Sequence, residues 1–190
     1  MLTQQPDALG YGRAMVKQSG TTLVEMLVGM AIFAILVSMA LPGFMTWIQN
    51  TQLRTAAEAT LNGLQIARGE AVRRNSQVTF TLTGNNWIVT DAAGATIQSR
   101  SGSEGSANAV INVAGTMPLT FNGLGRPSGT LAVVGGGDIL RLSILNPTGG
   151  SCQASGGGMR CLEVRVTRGG QVRMCDPMRT LSDPHDPQAC

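Results

Sequence analysis

Lysine is nearly absent from this sequence: Lys17 is the single instance, and it stands ahead of the long apolar run. A Walker-type phosphate loop and a Schiff-base lysine both require that amine, so both are excluded from the rest of the chain. The glycine runs at 135–137 and 156–158 therefore read as turns rather than phosphate cradles. Histidine is equally scarce. His185 is the only one, it lies between two prolines, and no GxSxG elbow exists to build a Ser-His-Asp triad around it. The 4 cysteines form no compact CxxC pair, which argues against zinc. Asp183 and Asp186 could hold calcium only weakly, and exposed loop acids are usually just solvated. No enzyme, metal or cofactor is expected from this inventory.

What the chain does have is one long apolar segment. Residues 17–45 read KQSGTTLVEMLVGMAIFAILVSMALPGFM. A basic residue, Gly20 and a small polar pair lead into the run, Glu25 is its one acid, and no charge follows from Met26 to Met45. About 20 residues at a helical rise cover roughly 30 Å, enough to cross a bilayer core. A secretory signal places its small-residue cut after the apolar core, whereas here Gly20 precedes it. Arg13 and Lys17 lie before the span and the next basic residue is Arg54, which puts the N-terminus in the cytoplasm and the bulk of the chain outside. Pro42 is expected to kink the helix. Glu25 has two readings: it reaches water at the headgroups, or it pairs with an ammonium created at Thr21 by a cut after Gly20, on its own chain or a neighbour.

Gly20-Thr21-Thr22-Leu23-Val24-Glu25, the apolar run and Pro42 together resemble the processing and assembly signature of type IV pilins and type II secretion pseudopilins. The resemblance implies that a prepilin peptidase cuts after Gly20 and methylates the new N-terminus at Thr21, where Phe is the usual residue. It also implies that Glu25 guides assembly, with other major or minor pilins or pseudopilins and an inner-membrane assembly platform as partners.

Past Trp47 the pattern becomes amphipathic. Leu53, Ala57, Leu61, Leu64, Ala67 or Arg68, and Ala71 recur at three- and four-residue steps. Arg54–Glu58 and Glu70–Arg74 are pairs spaced for a helix face, Asn75 is a stop, and Gly63 and Gly69 are weak points. The stretch LRTAAEATLNGLQIARGEAVRRNSQVTF is similar to the GspH/FimT group of the same family, which includes the FimU minor pilins.

From residue 76 short β-branched runs alternate with turns. Strands are expected at 76–82, 86–90, 95–99, 109–113, 118–122, 130–134, 139–145, 161–167 and 171–175. Thr83-Gly84-Asn85-Asn86 reads as a hairpin turn. The expected organisation is a cleaved leader at 1–20, a transmembrane and assembly helix at 21–47, its exposed amphipathic half at 48–75 and a periplasmic β-rich domain at 76–190. The fold class is α+β and pilin-like: a long N-terminal helix packed on an antiparallel sheet. Cys152, Cys161, Cys175 and Cys190 all fall outside the membrane, where disulfides form. Three connectivities are possible, of which nearest-neighbour pairing closes two short loops.

The final two strands carry a basic hairpin. A three-residue turn, Arg168-Gly169-Gly170, places Val166 opposite Val172 and Val164 opposite Met174, with Arg165 opposite Arg173 on the other face. Like charges so placed repel, and a DNA phosphate could hold Arg165, Arg168 and Arg173; alternatively Glu163, diagonal to Arg173, neutralises the pair. DNA-binding FimT-type pilins resemble this chain and carry Gly-Arg-x-Arg near this position; Gly170-Gln171-Val172-Arg173 departs from it at Gln171, which the resemblance makes a further DNA contact, able to hydrogen-bond a phosphate but bringing no charge. Without Arg13, Lys17 and Asp7 the chain keeps 12 basic and 10 acidic residues, a net of +2, too little to demand nucleic acid. The function expected is a minor pilin or pseudopilin of a pilus or secretion pseudopilus, near its tip or in its assembly. The alternative is a subunit that binds double-stranded DNA for uptake in natural transformation.

Overall fold

The computed structural model describes residues 20–183 and 185–190. It begins with one helix, α1 (Leu23–Arg74), that stays helical across Pro42. The contacts divide the chain between Leu41 and Pro42. On the first side, every described residue is exposed. On the second, α1 acquires a buried stripe of Leu53, Ala56, Ala57, Thr60, Gly63, Leu64, Ala67 and Ala71. Leu61 is half-buried, and Arg68 points to solvent, so Ala67 is the residue that belongs to the stripe. Asn75 ends the helix by adopting a φ of 46°, and the Ser76 N–H returns to the Ala71 carbonyl, the left-handed cap that Asn tolerates better than most residues.

Nine strands follow: β1 (Val78–Thr83), β2 (Asn86–Asp91), β3 (Thr96–Arg100), β4 (Val110–Gly115), β5 (Leu119–Phe121), β6 (Pro127–Ser128), β7 (Asp138–Leu145), β8 (Leu162–Thr167) and β9 (Val172–Cys175), then a short α2 (Pro177–Ser182). They form two antiparallel sheets rather than one, ordered β3-β2-β1-β5-β6 and β4-β7-β8-β9. The strand expected at 130–134 does not form. The free edge of β5 is taken instead by the two-residue β6, ahead of this segment. The β1–β2 hairpin turns at Gly84-Asn85 with Gly84 at φ 60°.

Val78, Phe80, Val89, Leu119 and Phe121 from one sheet and Leu140, Leu142, Ile144, Val164 and Val166 from the other share a single buried cluster with the α1 stripe. Burying each such side chain is worth about 1.5–3 kcal/mol. Gly63, a weak point by helix propensity, lies tight against two rings of the sheet. A Cβ there would lie 2.8 Å from Phe80 Cε2 and 2.9 Å from Trp87 Cε2. Both rings are buried and cannot step aside. Gly63→Ala is therefore expected to lower stability by about 1–3 kcal/mol despite its better helix propensity. Urea unfolding of the full chain in detergent measures this, and an unchanged midpoint would show that the rings yield.

Candidate functional site

The first region of interest is the start of α1. Gly20 and Thr21 are exposed and precede the helix. The Thr22 hydroxyl accepts the Glu25 N–H at 3.2 Å, so Thr22 is the N-cap and Glu25 sits at the third helical position. Thr-x-x-Glu is the capping-box spacing, a signal readable in the sequence that the reading above did not use. Only the threonine half of the box is made. The Glu25 carboxylate is exposed and joins no ion pair among the described residues. The leader expected at 1–20, with Arg13 and Lys17, falls almost wholly outside the described residues.

The apolar part of α1 satisfies its own hydroxyls. Ser38 donates to the Ile35 carbonyl at 2.7 Å and Thr46 to the Pro42 carbonyl at 3.1 Å. That internal pairing is what a lipid-facing helix needs. Phe44 and Trp47 stack with ring centroids 5.8 Å apart, where the run ends. Aromatic side chains are enriched at the membrane–water boundary.

The second region is the basic hairpin. β8 and β9 pair in the register with Val166 opposite Val172, Arg165 opposite Arg173 and Val164 opposite Met174. β7 adds Arg141 on the other side of Arg165, so three arginines lie in one row across the sheet. Glu163 does not neutralise Arg173. It binds Arg165, which donates to Glu163 Oε2 from Nε at 2.9 Å and from Nη2 at 2.7 Å, and it lies 3.7 Å from Arg141 Nε. Arg165 Nη1 donates to Asp138 Oδ2 at 3.4 Å and to the Cys190 carbonyl at 2.9 Å. The Arg165 side chain is 12% exposed and that of Asp138 3%.

Arg165 is thus largely buried, and its donors already serve two carboxylates and a carbonyl. Arg168 at the turn and Gln171 are exposed, and Arg173 is half-buried. The Gln171 N–H donates to Thr167 Oγ1 at 3.2 Å. The hairpin therefore does not gather the four expected contacts into one accessible site.

The cysteines pair as Cys152–Cys161 and Cys175–Cys190. Each ring closure is worth about 2–4 kcal/mol on a chain-entropy account. All four sulfurs are taken up in these bonds and none is left as a zinc thiolate. The second bond also delivers the Cys190 carbonyl to Arg165. Asp176 caps α2 by accepting the Met178 N–H at 2.9 Å, and receives Arg160 Nε at 2.8 Å. Asp186 is engaged rather than free for calcium: the Gln188 N–H and Arg179 hold its carboxyl below the usual range. Asp183 accepts the His185 N–H at 2.9 Å. At the end of α1, hydrogen bonds from Arg73 and then Arg74 lower the Glu70 carboxyl to about 2, which accounts for both arginines.

Comparison with known proteins adds the following. A family model described as type II transport protein GspH matches residues 56–170, more than half of the chain. One described as the prokaryotic N-terminal methylation motif matches residues 15–41. Curated proteins give no significant match. Among solved structures, the chain is similar to the type IV minor pilin FimU of Pseudomonas aeruginosa, with TM-score 0.49 and 19% identity over 64% of this chain and 87% of that one. It is also similar to the minor pseudopilin EpsH from the type 2 secretion system of Vibrio cholerae, with TM-score 0.46 and 12% identity over 66% and 98%.

Proposed function

Since the chain belongs to the GspH family of type II transport proteins, the minor pilins and pseudopilins, we infer that it is trimmed after Gly20, methylated on Thr21 and packed by α1 into a fibre that grows from the inner membrane. Its work is structural, and it carries out no reaction of its own. The observation that carries this reading is the first part of α1. It is a fully exposed apolar helix with one acid, Glu25, that is unpaired among the described residues and stands five positions after the exposed Gly20.

In this reading the N-terminus begins in the cytoplasm, the head lies in the periplasm, and the apolar helix waits in the lipid until assembly. Phe44 and Trp47 mark the outer boundary. A prepilin peptidase supplies the cut, an inner-membrane platform drives insertion, and other pilins or pseudopilins are the neighbours. The DNA-binding alternative draws less from the geometry, because Arg165 is committed inside the head and Gln171 brings no charge.

The test is the mass of the mature chain. Protein recovered from the membrane and fibre fractions is expected to start at Thr21 and to carry one N-terminal methyl group. A chain still carrying residues 1–20 in the fibre fraction, or cut after the apolar run, would overturn the reading.

A further inference from the structure

Arg68, Arg100, Arg126, Arg168 and Arg173 make no ion pair among the described residues, and three of them, Arg68, Arg126 and Arg168, lie on segments that touch. They come from α1, from the turn between β5 and β6, and from the turn between β8 and β9. Two glycines bring these segments together. A Cβ on Gly170 would overlap the Gly125 carbonyl oxygen and lie 3.4 Å from Arg126 Cα. A Cβ on Gly125 would lie 2.9 Å from Val72 Cγ2 and 3.2 Å from Arg68 Nε. All three arginines are exposed.

Beside them stand two apolar side chains that the fold leaves uncovered, Leu124 at 78% exposure and Val72 at 51%. Leu124 is not on a loose loop. Asn122 Oδ1 accepts the N–H groups of Leu124 at 3.0 Å and Arg126 at 3.1 Å, and the Gly125 N–H closes on the Asn122 carbonyl at 2.8 Å. A backbone turn fixed in this way loses little further entropy on docking.

We propose that Leu124 and Val72, ringed by Arg68, Arg126 and Arg168, form the face by which this head docks onto the globular domain of a different pilin-like subunit, one offering an apolar recess rimmed by carboxylates. The inference rests on the assembly reading and adds the surface to it. Charge complementarity sets the rim. The leucine selects a protein over a nucleic acid, because a phosphate backbone has no recess for it. A second copy of this chain fits poorly, since most of its described carboxylates are already engaged by its own arginines.

The experiment places a photo-crosslinking phenylalanine at Leu124 of the full chain, in cells that assemble the fibre, with Val133 (54% exposed) as the control position. Adducts are identified by mass spectrometry. The expected adduct is a head-domain peptide, bearing Asp or Glu, from a protein with its own prepilin-type N-terminus. Arg126→Glu with Arg168→Glu should lower its yield about tenfold or more, and reversing the identified acid should restore it. Equal yields at Leu124 and Val133, or adducts to DNA, to lipid or to a second copy, would overturn the proposal. If the chain is present in fibres without a Leu124 adduct, only the docking face fails. If it is absent from fibres, the assembly reading fails with it.

Discussion

Arg165→Ala is expected to destabilise the head by about 3–5 kcal/mol, because it strands buried charge rather than removing a surface contact. Asp138 is 2% exposed, and after the substitution it and Glu163 would face each other's sheet region with the arginine gone. Arg141, 3.7 Å from Glu163, does not reach Asp138 in any ion pair among the described residues and leaves that carboxylate uncompensated. Arg165→Lys should recover only part of the loss, because an ammonium cannot donate along the parallel directions that the guanidinium uses. Arg173→Ala, opposite on β9 and without an ion pair, should stay within about 0.5 kcal/mol of the parent. Chemical denaturation of the full chain in detergent measures all three. An Arg165→Ala midpoint equal to that of Arg173→Ala would refute the internal assignment. If the loss is as large as expected, failure of an Arg165 variant to bind DNA says nothing about DNA.

The second large effect is on assembly. Glu25→Ala should leave membrane insertion and the cut after Gly20 intact while lowering the chain's share in fibres about a hundredfold, the scale of one broken low-dielectric ion pair. Removing a carboxylate from the edge of an apolar helix makes the helix a better membrane segment, so a defect cannot come from poor insertion. Thr22 caps the helix through its own hydroxyl and the Glu25 backbone N–H, and both survive the change. What is lost is the carboxylate alone, the group that in the proposed assembly meets the Thr21 ammonium of a neighbour. Quantitative immunoblots of sheared fibres against membranes give the ratio, and an unaltered ratio would remove Glu25 from the assembly mechanism.

The parts of this molecule that could be read from its sequence are those specified locally. The α1 stripe follows from three- and four-residue spacing, and its end from Asn75. The β8–β9 register follows because only one pairing puts Val164 and Val166 opposite Met174 and Val172. The parts that could not be read depend on partners far along the chain. Asp138 meets Arg165 across 27 residues, and nothing near either residue announces the other. The same is true of the single-sheet expectation: the division follows from long-range pairings, β1 with β5 and β4 with β7, and the two-residue β6 has no periodicity to detect. Gly63 looked like a defect because propensity is a property of the helix alone, and the tight approach of Phe80 and Trp87 is not. The arginine cluster was invisible for the same reason, since its members are brought together by two glycines in separate turns.

The Cys175–Cys190 bond has a consequence for how the protein ages. The segment between the two sulfurs is a covalent ring, with a separation of 15 residues. A protease that nicks this ring once severs the main chain but releases nothing. Both new ends remain tethered through sulfur, and the Cys190 carbonyl stays where Arg165 Nη1 needs it. The exposed tail is therefore expendable as a continuous backbone and indispensable as an attachment, so that wear on the surface does not propagate to the charges beneath.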